Sequence, residues 1–545
     1  MLVFCMFLRL AIILLLAAVT TSSGSEPSAG KSRPGEVFDV RHGGRERLLR
    51  LVSPGHVQDL ESGAVSRVRP ELSVRAADDA AAADWAREVK AGGIAPAGVG
   101  GFYLFRFQSA AQALRAAVRL QAGGMTAEPV LWRQHRTRFQ PADPLYRQQW
   151  HLRNRGRAGA RKGVDVNLGD VWQSYRGDGV GIGIVDDGLQ LGHPDLRAAV
   201  FPFSADPASS MHYDFNRGRT DPRPGRRQAH GTAVAGLVAA ASNRTGGVGV
   251  APAARLAGLR LIGGPNTDAM EAAAFQHRED VLHIYNNSWG PEDDGGTVEG
   301  PGLQASAALR RGVLFGRGGR GSIFVWSGGN GRRAGDDSNY DGYANAPETI
   351  AVGAVSDQGR QTSESERGAN LLVVSPSSSL RRQGLVTTDL AGRRGYNRDG
   401  SNDGRTLPSA NLADRAYTND FGMTSGAAPL VSGVIALMLQ ANPSLGWREV
   451  QDILVRTARR VHPTDADWQR NGAGLWFNHK YGAGLVDASA AVTAAISAGR
   501  LGGATSVRQD RFDLNLWIPD NRRSGVEVQF DLRGEPNLRV EHVQF

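Results

Sequence analysis

The chain holds a single cysteine among its 545 residues, Cys5, and it sits in the leader. No disulfide can form downstream of it, so the fold rests on core size and on bound metal ions. Long apolar runs are nearly as scarce. The first, LAIILLLAAV at 10–19, follows a lone Arg9 and gives way to TTSSG. It is too short and too quickly polar for a comfortable bilayer span, so residues 1–24 read as a secretory signal peptide that directs the chain out of the cell. An uncleaved membrane anchor is the alternative there. No later stretch is expected to be long and apolar enough to span a bilayer. A surplus of acid is also missing: 63 Lys and Arg stand against 54 Asp and Glu, a net charge of +9. Residues 25–138 carry 17 basic and 12 acidic side chains, so +5 of that excess lies in this stretch. Basic and aromatic residues are not interleaved there as a base-stacking groove needs, which argues against a nucleic-acid partner.

The length allows several domains. Residues 25–138 read as a small α/β unit, with strand-like ERLLRLV and GFYLFRF and helix-like DDAAAADWAREV and SAAQALRAAVRLQ. It ends in the arginine cluster LWRQHRTRF before QPADP, as a removable prosegment would; a permanent N-terminal domain is the alternative. From 139 to 495, short apolar runs (VGIGIVDD, GSIFVWSGG, TIAVGAVS) alternate with helical ones (AVAGLVAAAS, APLVSGVIALMLQAN). That alternation predicts a parallel sheet flanked by helices on both faces. Residues 505–545 turn strand-like again, in DLNLWIPD and VEVQFDLR, and read as the opening of a β-rich domain.

Three short stretches carry chemistry: Asp186 in VGIGIVDDG, His230 in AHGTAVAG and Ser425 in MTSGAAP. A serine hydroxyl is a poor nucleophile until an imidazole takes its proton, and a carboxylate fixes that imidazole's tautomer and steadies its charge. Asp186 ends an apolar run, where parallel sheets place their sites, and His230 and Ser425 each open a helical run.

Residues 143–495 resemble the catalytic domain of the kexin/furin branch of the subtilisin-like serine proteases. YNNSWGPEDDG, RGGRGSIFVWSGGNG, DGYANAPETIAVGAVS and YGAGLVDA all follow that branch's pattern, and the terminal GEPNLRVEHVQF resembles the start of its P domain. The resemblance implies a catalytic trio of Asp186, His230 and Ser425, with the side-chain amide of Asn330, in SGGNG, at the oxyanion; a plain Gly/Asn turn is the alternative there. Met423 departs from the glycine of most relatives, and Gly422 is expected to take over its backbone role.

The same resemblance assigns a substrate cleft. Asp293 and Asp341 would bind the side chain just before the scissile bond, where an arginine gains charge-assisted contacts. Glu271, Glu299 and Tyr343 would receive a basic residue four positions before the cut, with Ser288, Trp289, Gly290 and Glu292 lining the cleft. PEDDG as a merely solvated acidic turn is the alternative. Asp187 resembles the acid of the second pocket, whose partner is here Arg227. Calcium is the implied cofactor, since it takes six to eight hard oxygen ligands. Asp143, Asp195 and Asn243 resemble one site, with carbonyls near Ala241, Thr245 and Gly247. Asp293, Asp336 and Glu366 resemble a second. A third looks degraded, Arg219 standing between Asp214 and Asp221.

These features imply a secreted, calcium-dependent serine endopeptidase, monomeric, cutting proteins or peptides after arginine. It would be made as a proenzyme whose prosegment inhibits it and is cut after Arg136 or Arg138. A broad degradative subtilase with a loose basic preference, or an inactive relative acting as a binding protein, are the alternatives.

Overall fold

A computed structural model describes residues 35–42, 45–60, 65–98, 100–131, 139–378, 383–398 and 412–502. The leader, Arg136, Arg138 and the 505–545 segment lie outside the described residues. The chain divides into two compact units, Met1–His135 and Arg136–Phe545.

Among the described residues, the first unit is a seven-stranded antiparallel sheet with two helices. In chain order its elements are β1 (Val37–His42), β2 (Arg45–Ser53), β3 (His56–Asp59), β4 (Val65–Arg75), α1 (Asp79–Glu88), β5 (Gly93–Pro96), β6 (Phe102–Arg106), α2 (Ala110–Ala122) and β7 (Ala127–Leu131). The strand order is β1-β2-β3-β4-β6-β5, with β7 also paired to β4. A capping box starts α2: Ser109 accepts from the Gln112 amide while the Gln112 side chain accepts from the Ser109 amide. Ala110, Ala113, Leu114, Ala117 and Leu120, at helical spacing, form its buried face. Several of them share a core with Leu49, Leu51, Leu72, Val74 and Phe105.

The second unit is built on a seven-stranded sheet: β8 (Gly181–Asp186), β9 (Tyr213–Asp214), β10 (Arg255–Arg260), β11 (Leu282–Asn287), β12 (Ile323–Ser327), β13 (Thr349–Val355) and β14 (Leu371–Pro376). The order is β14-β13-β12-β11-β8-β10-β9, and every pairing is parallel. Alternation along the strands divides the side chains between two cores. Ile182, Ile184, Ile323, Val325, Ile350 and Val352 join the core of α3 (His230–Ala239), α6 (Met423–Ala441) and α8 (Ala488–Ser497). Val185, Tyr285, Phe324, Trp326 and Ala351 join that of α4 (Asp268–Gln276) and α5 (Leu303–Gly319). A strand buried on both faces reads as a nearly continuous apolar run, which is what VGIGIV and SIFVW are. The helix α7 (Trp447–Thr457) contacts β14 and α8.

Contrary to the expectation that no later stretch could span a bilayer, α6 is long and apolar enough by length and composition. Its residues from Thr424 to Leu439 are buried inside the unit, so the all-round apolarity belongs to a central core helix.

The sheet's topology fixes where a site can form. β8 pairs with β10 on one side and β11 on the other, so chain order reverses across it. The crevice beyond the carboxyl end of such a strand is open to a ligand. Asp186 is the last residue of β8.

Candidate active site

Asp186 is fully buried, and both its oxygens face the His230 Nδ1, at 2.8 and 3.0 Å. That contact puts the Nδ1 proton toward the carboxylate and leaves Nε2 free to accept one. The approach is possible because the residue after His230 is glycine: a Cβ on Gly231 would lie 2.3 Å from the Gly188 carbonyl oxygen and 2.9 Å from the Asp186 Cβ. Asp187 caps the same helix. Its Oδ2 accepts from the His230 amide at 3.1 Å and its Oδ1 from Gly231 at 2.8 Å. Burial, and then the neighbouring Asp186, push the Asp187 carboxyl up to about 7. Burial alone would lower His230, but the Asp186 and Asp187 charges outweigh it and hold the imidazole up at about 9.

Ser425 lies in the first turn of α6, where amide groups have no intrahelical acceptor. Its hydroxyl is buried and donates to the Ser288 carbonyl at 3.2 Å rather than to His230. Asn330 is oriented by Thr424, whose amide (2.9 Å) and hydroxyl (2.7 Å) both donate to its Oδ1. A backbone amide can only donate, so the Asn330 oxygen is pinned and its NH2 group is the part left for an oxyanion. Thr424 was not singled out from sequence; the only signal was its place directly before Ser425.

At Met423 the structure corrects the expectation. Gly422 is extended (φ 173°), whereas Met423 itself is left-handed (φ 56°), with a half-exposed side chain. The conformation that favours glycine therefore falls on Met423, and Gly422 does not take it over. Gly422 serves instead for close approach, since a Cβ there would lie 1.5 Å from the Ser378 hydroxyl.

Of the acids predicted for the cleft, Glu292, Asp293 and Asp341 gather beside Asn330, while Asp187, Glu271 and Glu299 do not line the cavity there. A cavity of about 170 Å³ is lined by Trp289, Gly290, Glu292, Asp293, Asn330, Asp336, Asp341 and Glu366, among others. Asp341 is buried and held by the amides of Tyr343 (2.8 Å) and Ala344 (3.2 Å). Burial pushes it up to about 7, and the nearby Asp293 and Asp336 add to the rise. Gly290 leaves room for it, as a Cβ there would meet its Oδ2 at 2.7 Å. Asp293 accepts from the Asn330 amide at 2.9 Å, while Glu292 is exposed. Trp289 donates to the Val185 carbonyl and packs against Trp326 and Tyr343. The Tyr343 hydroxyl donates to Glu271 at 2.9 Å; Glu299, whose charge is felt by both, pairs through its backbone with Asp341. Arg227 is exposed, in left-handed backbone (φ 65°), while both Asp187 oxygens face the helix amides.

Two groups of residues suit a hard cation. Asp293, Asp336 and Glu366 bring ligand oxygens within 4.8 Å of one another. Burial pushes Glu366 up to about 8, with the two aspartates adding to it. Asp195 and Asp143 also adjoin: burial raises Asp195 to about 7, Asp143 adds to this, and among the described residues the buried Asp195 Oδ1 has no partner in hydrogen-bond geometry. Asp143 accepts from Ser242 and from the amides of Asn243 and Arg244. The donors are oxygens throughout, as calcium prefers. At the third place arginines take the cation's part: Asp214 pairs with the buried Arg260 at 3.0 Å and lies 3.8 Å from Arg219, and Asp221 pairs with Arg223.

A parallel sheet with an Asp–His pair at the end of its central strand, and a serine at the start of its central helix, defines a subtilisin-like serine hydrolase fold. The chain belongs to the subtilase family (Peptidase S8), whose model matches residues 177–484, and within it to the kexin/furin type. It is 41% identical over 366 residues to the PC3-like endoprotease variant B of Hydra vulgaris, covering 66% of this chain and 47% of that protein. It is 40% identical over 423 residues to human furin, covering 74% of this chain and 48% of furin. The chain thus spans about half the length of the curated relatives it matches. Among solved structures, the serine protease of Aeromonas sobria in complex with its chaperone superposes with a TM-score of 0.60 at 28% identity, over 66% of this chain and 68% of that one.

Proposed function

We propose that this protein is a secreted, calcium-dependent serine endopeptidase that cleaves protein chains after arginine, made as a proenzyme whose residues 25–138 are the prosegment. In this reading Ser425 attacks the scissile carbonyl as its proton passes to His230 Nε2. Asp186 steadies the resulting imidazolium, and the Asn330 NH2 group, with the Ser425 amide, receives the oxyanion. The imidazolium then returns its proton to the leaving amine, and water repeats the sequence on the acyl-enzyme. Asp143, Asp195 and Asn243, and Asp293, Asp336 and Glu366, would hold calcium, which supplies positive charge that relieves these carboxylates and stiffens their loops.

The observation that carries the arginine preference is the cavity bounded by Asp293, Asp336 and Asp341 within reach of Asn330. An incoming guanidinium would gain charge-assisted, partly desolvated contacts that no neutral side chain can match. Glu271, Tyr343 and Glu299 supply the acceptors for a basic residue farther back. Cleavage of a mixed peptide library, with and without a chelator, tests the reading. Arginine should dominate the position before the cut, and chelator or Ser425→Ala should abolish cleavage. A library cut without regard to basic residues would overturn it.

A further inference from the structure

At the opposite edge of the sheet from Asp186, below the amino ends of β8, β11 and β12, lies a second and larger cavity of about 350 Å³. With β8 six residues long, it is roughly 17–20 Å from the candidate active site. Its polar lining holds several hydrogen-bond donors. Arg317 is 6% exposed, its buried Nε has no hydrogen-bond partner among the described residues, and its Nη1 donates to the Gly321 carbonyl at 3.1 Å. Gln440 accepts from the amides of Arg176 and Gly177, both at 2.7 Å, which pins its oxygen and leaves its NH2 group as a free donor. His283 Nδ1 accepts from the Gly181 amide at 3.0 Å, so its proton is on Nε2, a third donor. Arg320 adds a second guanidinium at the rim.

Two carboxylates also line the cavity. Asp280 is engaged by Arg278 at 3.0 and 2.9 Å, and Asp178 is exposed. Neither makes an ion pair with Arg317 or Arg320 among the described residues. A buried guanidinium cannot shed its proton; the Glu449 charge acts on Arg317, but no carboxylate makes an ion pair with it among the described residues, so an anion in the cavity would relieve it further. The backbone adds a cost of its own. Arg317 sits left-handed (φ 53°, ψ 36°) in the Gly316–Gly318 kink of α5, a conformation glycine would adopt with less strain. The rest of the wall, Val180, Leu439 and Pro443, is apolar.

We propose that this cavity binds a small organic oxyanion, its carboxylate or phosphate head on Arg317, Gln440 and His283 and its apolar body against Leu439 and Pro443. The test uses the full chain carrying Ser425→Ala, so that self-digestion cannot intrude, and reads binding rather than catalysis. Benzoate and phenyl phosphate are titrated at fixed ionic strength by calorimetry, with benzamide as the uncharged control. Both anions should bind with one site while benzamide does not. Gln440→Glu, which keeps the acceptor for Arg176 and Gly177 but replaces the donor with a charge, should weaken binding about tenfold or more, as should Arg320→Gln. Equal binding of benzamide, or anion binding untouched in both variants, would overturn the proposal. Retained melting temperatures in the variants exclude misfolding as the cause of lost binding.

Discussion

The orientation of one amide sets what Asn330 can do. Thr424 ties down its oxygen from two sides, so the NH2 group is preorganised and needs no rearrangement when charge develops. Asn330→Ala should lower kcat by about 10²–10³ while leaving KM nearly unchanged; a proportionate rise in KM instead would place the residue in ground-state binding. His230 invites a test of a different kind. It acts as a base only when neutral, and the Asp186 and Asp187 charges hold its pKa above the ordinary histidine value. The acid limb of the pH–kcat/KM profile should therefore lie above that ordinary value. Asp187→Asn removes one of the charges that raise His230 while keeping an acceptor for the Gly231 amide. That limb should then move toward acid, and a limb that stays put would mean Asp187 is only a cap. Met423 carries left-handed backbone for no packing gain, its side chain being 45% exposed. Met423→Gly should raise stability by about 1 kcal/mol, measured by denaturant unfolding, since an L side chain in that region costs about 1–2 kcal/mol.

The elements position these atoms through two helix starts. Asp187 anchors the first turn of α3 beside the end of β8, and Gly231 lets helix and strand approach until His230 reaches Asp186. Gly231→Ala should push α3 off the Gly188 carbonyl, because backbone cannot yield as a flexible side chain does. We expect a loss of about 1–3 kcal/mol in stability and a much larger proportional loss of turnover, since small misplacements in such a pair cost orders of magnitude. Full activity with an unchanged melting temperature would show that the helix can slide. The start of α6 is built differently, with no side-chain cap. There the Ser377 hydroxyl holds the Met423 carbonyl at 2.6 Å and Thr424 locks to Asn330.

On the scale of the whole molecule, stability has to come from packing and from charge neutralisation, because no cysteine follows Cys5. The large core along α6 supplies the first, each fully buried aliphatic side chain contributing about 1.5–3 kcal/mol. Calcium at Asp293, Asp336 and Glu366 and at Asp143 and Asp195 would supply the second. A ligand at a hundred times its dissociation constant stabilises by about 2.7 kcal/mol. Chelation should therefore lower the melting temperature by several degrees, and Asp336→Asn should blunt the response; coincident melting curves with and without chelator would remove calcium from the account.

Much of this was legible without coordinates. Strands buried on both faces must be apolar throughout, so VGIGIV and SIFVW announced a covered parallel sheet, and Asp186 announced its carboxyl edge. The helices of the first unit followed from the apolar spacing of DDAAAADWAREV and SAAQALRAAVRLQ. Asp186, His230 and Ser425 could be named because their chemistry demands those side chains in small-residue surroundings, and Asn330 because SGGNG resembles the oxyanion motif of the family. Other features depended on contacts between distant segments. Nothing local to Asp187 says that its oxygens turn to helix amides, nothing local to Met423 says that it, not Gly422, is left-handed, and nothing in α6 distinguishes a core helix from a membrane span. Composition and periodicity act over a few neighbouring residues and so determined the elements and the reactive side chains. Backbone direction, hydrogen-bond choice and burial are settled only when segments hundreds of residues apart meet, and those decided how Thr424 aims Asn330, how acids crowd one cavity and how Arg317 came to be buried.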